Sequence, residues 1–259
     1  MEESAQVKRE SGKPLRAPSI SRSLRNGWET SSASPPLQLP GALLPRAFFE
    51  ASPEQVARCL LGKLLAHRTR FGWLSGRIVE AEAYLGPHND PPDPAAHSHN
   101  GLTPRNAVLF GPAGHAYVYA IYGRYFCMNV SCEAEGKAGC ILLRALEPIG
   151  ASSLKRMALN RGLTPGATAA QLTSGPSRLC QALGLTRQGH NGLDLLDPDS
   201  PLQLRDDGFV TSDVLVTPRI GIRHAVDWPL RFSLAGHDCV SGPKNWGKAG
   251  LKKAPNRKR

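Results

Sequence analysis

The 259-residue chain contains no run of 18 or more apolar residues, which leaves no segment able to cross a membrane as a helix. It opens with Glu2 and Glu3, where a secretory signal would have a basic start and an apolar centre. The protein is therefore expected in the cytoplasm, at the nucleoid if bacterial, or in the nucleus if eukaryotic, with no membrane partner. Its six cysteines (Cys59, Cys127, Cys132, Cys140, Cys180 and Cys239) form no C-x-x-C pair. Without a secretory signal they read as free buried thiols rather than disulfides or zinc ligands. No internal repeat is visible, and 41% hydrophobic with 20% charged residues excludes collagen, coiled coil and wholesale disorder.

Charge is unevenly spread. The formal net charge is +11, yet residues 41–243 carry 19 basic and 17 acidic side chains. The excess sits in the two ends. Residues 1–40 hold six basic side chains against four acids, and residues 244–259 hold seven Lys or Arg and no acid. Eight Ser and five Pro without apolar periodicity mark residues 1–40 as a disordered tail. Residues 41–243 are then expected to form one folded domain and residues 244–259 a basic tail. Such a tail attracts phosphate polymers, but equally serves as a solubilising end.

Inside the domain, Ser52-Pro53-Glu54-Gln55 is a capping box with proline at the first helical position, followed by Val56, Cys59 and Leu60 on one face and Gly62 as the stop. Further helices are expected near Ser174–Leu183 and Ser152–Asn160. In Gly76–Leu85 strict alternation predicts a strand with Val79, Ala81, Ala83 and Leu85 on one face and Ile78, Glu80, Glu82 and Tyr84 on the other. His115–Ser131 is rich in aromatic and β-branched residues and is broken by Gly123-Arg124, which suits a two-residue type II′ hairpin turn. Ile141–Leu146, Val214–Val216 and Leu230–Leu234 read as further strands. Strands and helices do not alternate regularly, so the expected class is α+β: a mostly antiparallel, curved sheet surrounded by helices, with a protruding hairpin.

All five tyrosines lie in the two principal strand regions: Tyr84, Tyr117, Tyr119, Tyr122 and Tyr125. Aromatic faces in that density could wall a slot for a planar ligand. Tyr122, at the hairpin tip, is a poor core residue but a good wedge between stacked bases. Glu80 and Glu82 share a strand face at roughly 6 to 7 Å by strand rise alone. Their like charges and aromatic surroundings should raise the pKa of one of them. A carboxylate beside such a slot can activate water for attack on a glycosidic carbon. His88, Asp90, Asp93, His97 and His99 superficially suggest a metal cluster. They fall in a proline-rich loop without the three or four fixed ligands that zinc requires, so no metal and no cofactor is expected.

Six segments now converge: Gly76-Arg-Ile-Val-Glu-Ala-Glu-Ala-Tyr-Leu-Gly86, the Ala-Ala-His-Ser of 95–98, the Thr-Pro-Arg-Asn of 103–106, Tyr117-Val-Tyr-Ala-Ile-Tyr-Gly-Arg-Tyr-Phe-Cys-Met-Asn129, the Leu-Leu-Arg-Ala-Leu-Glu-Pro of 142–148 and the Gly-Pro-Ser-Arg-Leu-Cys-Gln-Ala-Leu of 175–183. Together, in this order, they resemble the alkyladenine (3-methyladenine) DNA glycosylase family, from about Leu43 to Val240. The resemblance implies a DNA repair enzyme that flips damaged purines out of double-stranded DNA and hydrolyses the N-glycosidic bond, acting as a monomer. It implies Glu82 as the general base, with Arg144 helping to hold water and phosphate. Tyr84, His97 and Tyr119 would line the base pocket, Asn129 would stand at its floor against unwanted exocyclic amines, and Tyr122 would intercalate. Glu80 is then a motif neighbour that tunes, while Arg105 and Arg178 are candidate backbone phosphate contacts. No lysine occurs between Lys63 and Lys137, so a Schiff-base mechanism lacks its amine in the motif region and an abasic site is the expected product. The segment Pro87–Pro94 is richer in proline and histidine than the family pattern, and Arg124 sits beside the wedge. Two rival readings stand beside this one: an inverting carbohydrate glycosidase using Glu80 and Glu82, and a non-catalytic binder of damaged DNA.

Overall fold

The computed structural model describes residues 39–211 and 213–242. The expectations about the two tails lie outside these residues. The described chain runs β1 (Ala42–Leu43), α1 (Pro53–Leu60), β2 (Leu64–Thr69), β3 (Gly72–Tyr84), α2 (Ala107–Phe110), β4 (Ala116–Ile121), β5 (Tyr125–Cys132), β6 (Gly139–Ile149), α3 (Ala151–Asn160), α4 (Ala169–Thr173), α5 (Pro176–Leu183), α6 (Arg187–His190), β7 (Leu202–Asp206), β8 (Val214–Thr217) and β9 (Arg231–Leu234). It is the expected α+β class, with a curved sheet in the order β1-β7-β2-β3-β6-β5-β4. Every pairing is antiparallel.

The helices form where local chemistry starts and stops them. Ser52 caps α1 by accepting from the Gln55 N–H, with Pro53 in the first turn. α5 begins with Pro176 and ends at Gly184, whose φ of +72° is the left-handed conformation that releases its N–H to the Cys180 and Gln181 carbonyls. The apolar stripes of α1 (Val56, Ala57, Leu60), α3 (Met157, Ala158) and α5 (Leu179, Cys180, Leu183) join Val118, Met128, Ile141 and Leu143 of the sheet in one core. Each fully buried aliphatic side chain there contributes about 1.5–3 kcal/mol. The six cysteines are free, and all but Cys59 are buried. Cys59, expected on the apolar face of α1, is exposed, because the buried stripe of this short helix runs through Val56, Ala57 and Leu60.

Strand β3 organises the molecule. Its first half pairs with β2, whereas Glu80, Ala81 and Glu82 pair with Ser233, Phe232 and Arg231 of β9; its other edge pairs with β6. The β3–β6 register slips twice, running Ile78↔Leu146, Glu80↔Ala145, Ala81↔Leu143. Val79 and Arg144 are the extra residues. These bulges overturn the expected alternation: Ile78 lies in the main core with Ala81 and Ala83, while Val79 packs in a separate cluster with Ala145 and Cys239. The same slip leaves Arg144 on the side of Glu80 and Glu82 rather than in the core.

The hairpin also departs from expectation. Ile121 pairs with Tyr125, leaving a three-residue turn of Tyr122, Gly123 and Arg124. Both Tyr122 (φ +47°) and Gly123 (φ +73°) are left-handed, so Gly123 does not lead a two-residue type II′ turn. The Tyr122 side chain is 90% exposed.

Candidate active site

Where β3, β4, β5 and β6 come together with the segments 94–97 and 220–224, they enclose a cavity of about 550 Å³. That is within the roughly 300–1,000 Å³ of small-molecule sites. Tyr84, His97 and Tyr119 form its aromatic walls, Asn129 and Arg144 supply polar atoms, and Tyr122 stands at its margin. The predicted pocket residues are thus brought together from four separate stretches of chain.

The walls are held by their neighbours. Tyr117, fully buried, stacks on Tyr119 with ring centroids 5.2 Å apart, and His97 meets Tyr119 edge-on at 4.6 Å. His97 Nδ1 lies 3.1 Å from the Tyr117 hydroxyl. Desolvation and the nearby Arg105 hold the His97 pKa below its ordinary value, so the ring is neutral at neutral pH. Burial pushes the Tyr84 and Tyr119 hydroxyls well above the usual phenol range, so both stay protonated. Asn129 is buried; its Nδ2 donates to Cys140 Sγ at 3.3 Å, whereas Oδ1 has no hydrogen-bond partner among the described residues. Burial drives the Cys140 thiol up to about 12, so it remains a neutral wall atom.

Glu82 lies directly behind this wall, itself 0% exposed. Its Oε1 accepts the Ile220 N–H at 2.8 Å and faces Arg144 Nη1 at 3.2 Å, and its Oε2 accepts the Tyr84 hydroxyl at 3.1 Å. All three neighbours line the cavity. Burial raises the Glu82 pKa, and Glu80 adds to the rise; Arg144, the Ile220 N–H and the Tyr84 hydroxyl oppose it. Burial pulls the Arg144 guanidinium down, but the two carboxylates outweigh it and leave its pKa above normal. Oε2, with a single donor among the described residues, keeps acceptor capacity for another group.

Glu80, equivalent to Glu82 on grounds of strand face alone, is a different object. Its Oε1 accepts from Arg144 Nε (2.9 Å), Arg231 Nε (2.6 Å) and Ser241 Oγ (2.9 Å), and its Oε2 accepts the Ser241 N–H (2.6 Å). A carboxylate so occupied is a buried tie, with its oxygens committed to cations and donors. The pair required of an inverting carbohydrate glycosidase is therefore missing its second free carboxyl.

The chain matches the family model described as methylpurine-DNA glycosylase (MPG) over residues 47–238. It belongs to the methylpurine-DNA glycosylase family. Among similar proteins, one from Koribacter versatilis is 54% identical over 203 residues, covering 78% of this chain and 95% of its own. One from Burkholderia lata is 44% identical over 205 residues (79% and 93%), and one from Methanoculleus marisnigri is 46% identical over 202 residues (76% and 98%). All three carry the provisional name 3-methyladenine DNA glycosylase. The chain is accordingly a DNA glycosylase, a hydrolase of the N-glycosidic bond.

The remaining sequence candidates of this glycosylase are placed as follows. Arg105 is exposed, with its guanidinium 5.8 Å from the Tyr119 ring centre, at the edge of the aromatic wall. Arg178 is exposed on α5. His88 is exposed, and Asp93 is sequestered in an ion pair with Arg219. Sequence reasoning missed Arg219, Ile220, Arg231 and Ser241. For Arg231 a signal existed, since a charge between Leu230 and Phe232 in an apolar strand demands a buried partner. Ile220 acts through its backbone, which no side-chain pattern reveals.

Proposed function

We propose that the protein excises alkylated purines, 3-methyladenine among them, from double-stranded DNA as a monomer and leaves an abasic site. A base within a duplex is inaccessible at its sugar carbon, so the nucleotide is flipped into the cavity at a cost of a few kcal/mol, which damage reduces. Tyr122 at the exposed tip fills the gap left in the stack. In the cavity the base lies among Tyr84, His97 and Tyr119, whose tyrosine faces favour a cationic N-alkylpurine by about 0.5–2 kcal/mol. The unpartnered Oδ1 of Asn129 and the adjoining Nδ2 read the purine edge, and Arg105 and Arg178 contact backbone phosphates.

Glu82 then removes a proton from water as its oxygen bonds to the sugar C1′. The C1′–N bond breaks with its electron pair going to the base, which leaves an N-alkylated cation as a neutral molecule without a separate strong acid. Arg144 steadies the carboxylate and the incoming water. Among the described residues no lysine lines the cavity, in keeping with simple hydrolysis. Deaminated purines, which lack the positive charge, would rely on a donor such as His97.

The observation that carries this reading is a fully buried carboxylate in contact with three residues of an aromatic-walled cavity. Release of free 3-methyladenine from methylated duplex DNA by the purified chain, with Glu82→Gln beside it, tests it. The expectation is release by the native protein and a loss of at least about a hundredfold in the variant. Retained release in the variant refutes the general base. Abasic-duplex binding by both proteins, with no release by either, would favour the non-catalytic binder.

A further inference from the structure

Two irregular segments border the cavity on either side of Tyr84: one carries Asp93, Pro94, Ala95 and His97, the other Arg219 through His224. Among the described residues a single ion pair joins them. Arg219 presents both Nη atoms to Asp93, with Nη2 donating to Oδ1 at 2.9 Å and Nη1 to Oδ2, and both side chains are 0% exposed. Asp93 also accepts the Ala95 N–H (3.0 Å) and the Leu85 N–H (3.2 Å), while Arg219 Nη1 reaches the Ala83 carbonyl at 3.1 Å. The guanidinium lies 4.5 Å from the Tyr84 ring centre, and the next residue along, Ile220, donates its N–H to Glu82.

A buried ion pair is seldom the most stable solution, because desolvation offsets much of its attraction and well-packed apolar residues often do as well. What it does supply is geometry: a planar fork that fixes direction at each oxygen and stacks on a ring. We propose that the Asp93–Arg219 fork is a positioning device for base release, backing Tyr84 and setting the Ile220 N–H that aims the Glu82 carboxylate. This rests on the reading of Glu82 as the general base. Neither residue lines the cavity; they act through Tyr84 and Ile220, two of the three groups that hold Glu82.

The groups facing Glu82 among the described residues are Arg144 from β6, Tyr84 and Glu80 from β3, the Cys127 thiol from β5, kept neutral by burial, and the Ile220 N–H from the segment after β8. Of these, the fork controls the two hydrogen-bond donors, and both favour the ionised carboxylate. Disturbing the fork therefore has a signature beyond loss of rate. Glu82 must be ionised to accept a proton, so weakening those donors moves the acid limb of the pH–rate profile upward.

The experiment is single-turnover release of 3-methyladenine from methylated duplex DNA across pH, with Arg219→Lys beside the native chain. Lysine keeps the charge but neither forks nor stacks. The expected result is a rate lower by roughly tenfold to a hundredfold, binding of an abasic-site duplex within about twofold of native, and an acid limb shifted up by about one pH unit. Should Arg219→Lys fail to fold, Asp93→Glu, which retains the ion pair but lengthens one arm, is profiled instead with the same expectation. An unmoved limb in the folded variant, or an unchanged rate, overturns the positioning role. Failure of the native chain to release base refutes the glycosylase reading instead, so the two failures are separable.

Discussion

Two carboxylates two residues apart on β3 should respond oppositely to the same substitution. Replacing Glu82 by Gln is nearly isosteric and chemically compatible: the amide oxygen can accept from Ile220 and Arg144, and the amide nitrogen can donate to the Tyr84 hydroxyl. Because burial raises the Glu82 pKa, its ionised form opposes folding at neutral pH, so the neutral amide costs little or stabilises. Glu80→Gln instead sets an amide N–H against the Ser241 N–H and removes the charge between two buried guanidiniums. Breaking a buried pair in this way costs about 3–5 kcal/mol. At roughly 2–4 °C per kcal/mol for a domain of this size, the melting temperature should fall by about 6–20 °C. Calorimetry of both variants, paired with base release, is the assay. Glu82→Gln should melt at or above the native temperature and be inactive; Glu80→Gln should melt well below it. If Glu80→Gln melts with the native protein, or Glu82→Gln is equally destabilised, the division of labour drawn from the hydrogen bonds is wrong.

Tyr122→Ser should weaken duplex binding and flipping more than it affects a single-stranded lesion, measured by fluorescence titration on both; equal losses would remove the wedge. The His67–His190 pair gives a pH expectation. His67 Nδ1 lies 2.8 Å from the Leu183 carbonyl, so it is the protonated nitrogen and Nε2 accepts from His190 Nε2 at 3.0 Å. Burial lowers both pKa values below 6.5, so the unfolded chain binds protons that the folded one does not. Stability present above about pH 6.5 should fall as pH drops below it, and a melting temperature flat from pH 7.5 to 5.5 would contradict this. Raising salt from about 50 to 200 mM should cut duplex affinity steeply if several phosphates are neutralised, and a flat titration would argue against backbone contacts.

Local pattern determined a great deal. Period and capping placed α1, α3 and α5, alternation marked β3, and the aromatic run marked β4 and β5, because each depends on residues within a few positions. Strands β2 and β7 were not picked out; Leu64–Thr69 and Leu202–Asp206 are short and gain their definition from pairing with each other across the chain. The ordered motifs and family resemblance named the cavity residues, and the structure gathers Tyr84, His97, Tyr119, Asn129 and Arg144 in one place.

Strand face alone makes Glu80 and Glu82 equivalent and only the family resemblance separated them; the partners that distinguish the two carboxylates appear only in three dimensions. Glu80 is tied by Arg231 and Ser241, and Glu82 is aimed by Ile220, partners 151, 161 and 138 positions away. Bulges at Val79 and Arg144 reset the faces that simple alternation assigned. Sequence period fixes which way a side chain leaves its strand, but the solvation and partners that set a carboxylate's role come from segments the fold brings alongside. Such contacts leave no local periodic trace.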